Sequence, residues 1–196
     1  MTDSADTEVI SAVLAGDIDR YAELVARYQA AAWRLAYGIV GNMEDAKELS
    51  QNGFVKAYQR LRQFCGCARF STWLYRIVVN ECRDFLRRRA RRVPVVSMSA
   101  DPEADDPIRF DVPDPSGNPR DACADGEFAR ALGMAISGLT LKQRTAFVLH
   151  HLQGMSLEDT AAVMGCRVGT VKAHVFRACG QLRIHLSPYL TQEALS

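Results

Sequence analysis

Six of the seven prolines lie between Pro94 and Pro119, with only Pro188 elsewhere. Proline fixes φ and removes a backbone donor, so neither a helix interior nor a central strand can run through such a stretch. The same stretch is acidic. Residues 93–127 carry 9 Asp/Glu against 2 Lys/Arg, whereas residues 1–92 carry 15 Lys/Arg against 11 Asp/Glu and residues 128–196 carry 7 against 3. The formal net charge of +1 therefore conceals two basic blocks around an acidic middle. A segment rich in proline and like charge buries too little to offset the entropy of ordering it, so Val93 to about Ala124 reads as a flexible linker. The chain divides into a domain over residues 1–92, a linker over 93–127 and a domain over 128–196. Its 48% hydrophobic content is enough for a core in each.

Both domains read as helical, giving an all-α fold class. In the first, Val9, Ile10, Val13 and Leu14 mark a short helix stopped at Gly16, with Asp17 placed to cap the next. Tyr21, Leu24, Val25, Tyr28, Leu35, Ala36 and Ile39 share one face of a second helix ending at Gly41-Asn42. A third runs from about Met43 to Leu61, with Ala46, Leu49, Gly53, Phe54, Ala57, Tyr58 and Leu61 inward. Its outward face carries Asp45, Glu48, Gln51, Asn52 and Val55 at three- and four-residue steps. Two readings of that face stand open: acidic residues suited to the helix macrodipole, or a docking surface for a basic partner helix.

The stretch Phe64–Arg92 interleaves Phe64, Phe70, Trp73, Tyr75 and Phe85 with Arg69, Arg76 and Arg83, and ends in Arg87, Arg88, Arg89, Arg91 and Arg92. Guanidinium groups attract phosphates by counterion release, and aromatic faces give unpaired bases something to stack on. Duplex binding needs the first and seldom the second, so the mixture suits a single strand; an ordinary amphipathic helix with a basic end is the other reading that stands open. Leu74, Ile77, Val78, Cys82 and Phe85 recur at helical spacing and form the candidate core side. A loop from Gln63 leads into this helix, with Ser71 as its expected cap.

After the linker, Phe128, Ala131, Leu132, Ala135 and Leu139 mark a helix, and Thr140 with Gln143 makes a capping box that starts another, stopped by Gly154. Ser156 and Asp159 are spaced as a second cap before a short helix to Met164. A turn at Gly165-Cys166-Arg167 then leads to a long helix from Val168 to about Leu186, closed by Pro188. Small Ala161, Gly165 at the bend and Val171 in the angle have the spacing of a helix-turn-helix, the other reading being a helical hairpin that binds protein rather than DNA. Its second helix presents Arg167, Gly169, Thr170, Lys172, Ala173, His174, Phe176 and Arg177 near its N-terminus. Lys172, Arg167 and Arg177 reach phosphates or guanines, Thr170 donates to a phosphate, and His174 is placed for a base edge. Phe176 is unusual on such a face and is expected either there or packed inward.

Other chemistries find no support. Six cysteines (Cys65, Cys67, Cys82, Cys123, Cys166, Cys179) in a chain without an export signal are expected as reduced thiols. No CxxC pair exists, and His150, His151, His174 and His185 lack ligand spacing, so neither metal nor cofactor is expected. No Ser/His/Asp set, phosphate-binding glycine loop or paired carboxylate offers catalysis or a small-molecule substrate. No apolar run approaches the roughly 20 residues of a membrane span, and the acidic start MTDSADTEV is unlike a secretion signal. The cytoplasm is the expected location.

Asp45-Ala46, Glu48-Leu49, Gln51, Phe54, the run Arg69-Phe70-Ser71-Thr72-Trp73-Leu74-Tyr75-Arg76-Ile77 and Asn80 carry one resemblance together with a second set. That set is Leu139, Gln143-Arg144, Gly154-Met155-Ser156, Ala161, Gly165, Val168-Gly169-Thr170-Val171-Lys172 and Arg177-Ala178. The chain resembles an extracytoplasmic-function sigma factor, a small promoter-recognition subunit of bacterial RNA polymerase in the sigma-70 family. The resemblance implies a region 2-like domain over 1–92 and a region 4-like domain over 128–196. The first would dock on the clamp helices of core RNA polymerase through Asp45, Glu48, Gln51, Asn52 and Val55. It would open the minus-ten element of promoter DNA with Phe64, Arg69, Trp73, Arg76, Asn80, Arg83, Arg87 and Arg88. The second would bind the minus-thirty-five duplex with Arg167, Thr170, Lys172, Ala173, His174 and Arg177. The linker would thread the RNA-exit path, its acidic residues mimicking nucleic acid.

The resemblance further implies control by an anti-sigma factor held between the domains, which in a membrane-bound form would keep the protein at the inner membrane. The chain departs from the family pattern at Asn52, where Glu is usual, and at Cys65 and Cys67, which replace commoner Arg and Glu or Lys in the base-capturing loop Phe64 to Ala68. Ala173 and His174 stand where Ser and Arg are frequent. The alternatives are a LuxR-type regulator, which shares the GTVK helix but carries a strand-containing first domain, and a thiol or metal sensor using Cys65, Cys67 and Cys82.

Overall fold

A computed structural model describes residues 4–92 and 130–190 of the 196-residue chain. The linker reading, Phe128 and Cys123 fall outside the described residues. Eight helices and three short turns account for the described chain, and no strand occurs among the described residues.

Helix α1 (Ser4–Leu14) turns Val9, Ile10 and Val13 inward. Asp6 is buried with them and is held to α2 by Arg27 and by the Tyr28 hydroxyl, which donates at 2.5 Å. Gly16, at φ +113°, closes the helix, and the Asp17 N–H is taken up by the Ala12 carbonyl. Asp17 makes no side-chain cap bond, contrary to the sequence expectation, because a 3-10 turn (Ile18–Arg20) intervenes before α2 (Tyr21–Val40). Gly41 ends α2 in the left-handed conformation at φ +75°, and the Asn42 side chain accepts from the Asp45 N–H to begin α3 (Met43–Gln59).

A second 3-10 turn (Leu61–Gln63) buries Leu61. Tyr58, expected inward, is instead partly exposed and packs edge-on against Tyr21, ring centroids 5.0 Å apart. Helix α4 (Phe70–Arg92) starts one residue before its expected cap: the Trp73 N–H donates to the Arg69 carbonyl, leaving Ser71 inside the helix. Phe70 is wholly buried, so the helix begins where that ring joins the core.

In the second half, α5 occupies residues 130–137. Thr140 and Gln143 form the expected capping box of α6 (Leu141–Phe147), which widens into a π turn (Val148–Leu152) before Gly154. Ser156 caps α7 (Leu157–Met164) by accepting from the Asp159 N–H. Helix α8 (Val168–Leu190) passes through Pro188 rather than ending there. The proline cannot donate to the carbonyl four residues back, and the Ser187 hydroxyl donates to that Ile184 oxygen instead, at 2.9 Å.

The two halves meet. Val148, Leu149 and Val163 are buried in the same cluster as Leu24, Leu35, Ile39, Leu74 and Val78 of the first half. Each such side chain contributes about 2 kcal/mol by leaving water, so this contact is a packed core and more than touching surfaces. Gly38 on α2 permits it, because a Cβ there would stand 2.9 Å from both methyls of Val148. Arg144, also fully buried, donates to the carbonyls of Ile136 (3.1 Å), Ser137 (2.9 Å) and Leu139 (2.8 Å) and, across the junction, to Ile39 at 3.1 Å. A guanidinium suits this place, since carbonyls at helix C-termini carry the negative end of the dipole. A smaller second cluster joins Ala131, Ala135, Ile136 and Leu139 to Ala178, Leu182 and Leu186 of α8.

Candidate nucleic-acid interface

Trp73, Arg76, Asn80, Arg83 and Arg87 follow one another at steps of three and four along α4 and therefore share a face. Leu74, Ile77, Val78 and Cys82 occupy the opposite, buried face. Arg76, Arg87 and Arg88 are exposed, while Trp73, Asn80 and Arg83 are half-buried, and Asn80 Oδ1 accepts from Arg83 Nη2. Arg69 is exposed just before the helix. Phe64 fixes the foot of the preceding loop: its ring lies 5.3 Å from Trp73 and 5.8 Å from Phe70, centroid to centroid. Cys65, Gly66 and Cys67 at the tip are exposed. The arrangement offers aromatic faces beside cations at the N-terminal end of α4 and cations alone toward its C-terminus.

The cysteines correct one expectation. Cys65 and Cys67 are joined by a disulfide, whereas Cys82, Cys166 and Cys179 are free. Gly66 at φ +69° folds the chain back and brings the two cysteine Cα atoms to 5.4 Å, a separation suited to a bridge. Burial, and then the charge of Glu81, push the Cys82 thiol well above the ordinary range. Among the described residues no group of three or more His, Cys, Asp or Glu is arranged to hold a metal ion, and no helix is long and apolar enough to cross a membrane.

On α3, Glu48, Gln51, Asn52 and Val55 are exposed in a line, and Asp45 is half-buried. Arg89 of α4 reaches Asp45 at 3.5 Å, and Lys56 pairs with the mostly buried Glu81 at 2.5 Å. Val55 also borders an apolar groove between α2 and α3 with Ile18, Val25, Phe54 and Tyr58. The sequence reading missed this groove; its one signal was that Ile18 and Val55 are large apolar residues on otherwise polar faces.

Ala161 and Val171 are buried at the helix-turn-helix, and Gly165 takes φ +66° between α7 and α8. Arg167, Thr170, Lys172 and Arg177 are exposed, Ala173 and His174 half-buried. Phe176 points to solvent, 81% exposed, which decides between its two expected positions. Thr170 and His174 line a cleft of about 390 Å³ whose facing wall is Val79, Arg83 and Arg87 of α4, with Lys142 at its side. The structure thus brings residues expected on two separate promoter elements to opposite walls of one cleft. Lys142 escaped the sequence reading because only the packing of the halves makes it a wall.

Residues 24–92 match the sigma-70 region 2 family and residues 129–182 the sigma-70 region 4 family. RNA polymerase sigma-H factor of Pseudomonas aeruginosa is 33% identical, covering 98% of this chain and 99% of that one. The extracytoplasmic-function sigma-E factor of Escherichia coli is 34% identical, covering 88% and 90%. The solved structure of the Bartonella quintana sigma factor RpoE, in complex with the anti-sigma factor NepR, is similar at a TM-score of 0.61 and 27% identity, covering 85% of this chain and 96% of that one. With one helical half matching region 2, the other matching region 4 and relatives alike over nearly the whole length, the chain belongs to the extracytoplasmic-function sigma factors of RNA polymerase, in the sigma-70 family.

Proposed function

We propose a division of labour within this sigma factor. The region 2 half, residues 1–92, docks on core RNA polymerase through the α3 line and the neighbouring groove, and captures the minus-ten strand on the Trp73–Arg87 face of α4. The region 4 half, residues 128–196, seats α8 in the minus-thirty-five major groove, with the linker 93–127 running between them. The observation that carries this reading is the solvent-facing α4 stripe, half-buried at Trp73, Asn80 and Arg83 and exposed at Arg76 and Arg87, in which Trp73 packs beside Phe64 and Phe70. Stacking offsets the few kcal/mol that base extrusion costs, while α8 grips phosphates and a few base edges. The protein makes and breaks no covalent bond in these steps, and the cytoplasm is where it works.

The halves as packed cannot do both tasks at once. Elements about 25 base pairs apart lie roughly 85 Å apart along B-DNA, and a compact chain of this length has a radius of gyration of only about 16 Å. The closed arrangement is therefore the resting form, and seating on polymerase separates the halves. An anti-sigma partner like the one bound to the Bartonella quintana relative would hold the resting form; a membrane-bound partner would keep it at the inner membrane. The test is reconstitution with core polymerase: Trp73→Ala lowers open-complex formation at least tenfold while duplex binding through α8 persists. Failure of the unaltered protein to bind core polymerase, or equal loss of both activities, refutes the reading.

A further inference from the structure

We propose that Cys65 and Cys67 form a thiol–disulfide switch on minus-ten strand capture, with the dithiol as the capturing form; this rests on the strand-capture role proposed for the loop. The two sulfurs are bonded across Gly66, whose φ of +69° is open to glycine and strained for other residues. All three residues are exposed. Arg62 and Arg69, both exposed, flank the loop in sequence, and exposed cysteines in electropositive surroundings are the reactive ones. With the bridge closed, Cys67 Sγ lies 3.7 Å from the Cys65 carbonyl oxygen, so a thiol freed at Cys67 has an acceptor close by. Among the remaining described thiols, Cys82 is fully buried, and Cys166 and Cys179 are half-buried and not bonded to a second cysteine.

The oxidant class is a hydroperoxide. One thiolate attacks the peroxide oxygen, breaking the O–O bond and releasing an alcohol, or water from hydrogen peroxide. The resulting sulfenic acid is then displaced by the second thiol, forming S–S and releasing water. Two thiols lose two electrons in all, and the peroxide gains them. A protein dithiol reverses the step through a mixed disulfide and is itself oxidised.

The foot of the loop does not change, because Phe64 stays against Phe70 and Trp73 and its N–H donates to the Leu61 carbonyl. The change is confined to the tip. As a disulfide the tip is a closed ring with both side chains turned upon each other. As a dithiol it can spread around an extruded base, with two sulfurs as wall.

The experiment titrates the full-length protein with hydrogen peroxide and then dithiothreitol. Intact mass and peptide mapping read the pair, and fluorescence anisotropy of the reconstituted holoenzyme reads binding of a single-stranded minus-ten oligonucleotide. The expected result is a reversible loss of two hydrogens mapped to Cys65–Cys67, with strand affinity about tenfold weaker in the oxidised form. The Cys65→Ser/Cys67→Ser variant should lose that dependence on peroxide. A pair that stays reduced under peroxide overturns the switch, as does equal strand affinity in both forms or a double-serine variant that still responds. Trp73→Ala in the same assay separates the two ideas: if it leaves strand affinity unchanged, the capture role itself is wrong; if it weakens binding while oxidation does not, only the switch is.

Discussion

Replacing Gly38 with alanine should open the molecule without touching any residue proposed to meet polymerase or DNA. The added Cβ stands 2.9 Å from both Val148 methyls. Valine has one strongly preferred χ1 in a helix, and Val148 is wholly buried, so relief comes from parting α2 and the π turn rather than from a side-chain swing. Overpacking of this kind costs about 1–3 kcal/mol. Alanine also gains about 1 kcal/mol of helix propensity over glycine, but open and closed forms share that gain and it leaves their ratio unchanged. The closed form should therefore lose about 5- to 150-fold in population relative to the open one. Small-angle X-ray scattering of the free protein should show a larger radius of gyration. The apparent affinity for core polymerase should strengthen with the open fraction. Gly53→Ala is the comparison: its Cβ would lie 2.7 Å from a Val78 methyl within the first half, so it should lower the unfolding midpoint without opening the halves. If Gly38→Ala also lowers only the midpoint and leaves scattering and polymerase affinity unchanged, the halves are not in a closed–open equilibrium.

Arg144→Met keeps the side-chain bulk and orphans carbonyls at the ends of α2 and α5; urea unfolding should report a loss of about 3–5 kcal/mol, and a loss below about 1 kcal/mol would refute the latch. Asp6→Asn should cost about 2 kcal/mol and raise hydrogen exchange through α1. It should also move Tyr28 ionisation down in an ultraviolet titration, though not to the ordinary tyrosine value, since burial raises that group more than its bond to Asp6 does. His151 is held below its ordinary 6.5 first by burial and then by His150. The unfolded chain accepts that proton more readily, so the contribution is complete above pH 6.5 and is lost as pH falls through the folded value. His151→Gln should flatten the fall of stability with acidification; an unchanged slope would refute the assignment.

Local signals carried through from sequence to structure. The Thr140–Gln143 box, the Ser156 cap, the Gly41 stop and the Gly165 bend each depend on a few neighbouring residues, and each lies where its spacing predicts. Ser71 and Pro188 misled because tertiary needs overrode local preference: Phe70 had to be helical to enter the core, and Ser187 supplied the donor that Pro188 lacks. The α3 and α4 faces were legible as periodic patterns of polarity. What those faces meet was not, since the cleft, the groove and the Arg144 latch depend on residues as far apart as Ile39 and Arg144. The Cys65–Cys67 bridge was hidden for a different reason: the two cysteines, separated by one residue, meet where the glycine between them adopts a positive φ.

Arg89 belongs to the helix proposed to grip phosphates and Asp45 to the face proposed to dock, yet the two are partners at 3.5 Å. Each external ligand therefore competes with an internal one. In the proposed docking, a polymerase group that claimed Asp45 would release Arg89 toward DNA, and a phosphate that claimed Arg89 would release Asp45 toward polymerase. By linkage the two effects are equal in size. A half-exposed ion pair of this kind is worth at most about 1 kcal/mol, so the coupling amounts to a few-fold. Such a coupling makes a sigma factor bind promoters slightly better once it has found polymerase, and polymerase slightly better once it has found a promoter.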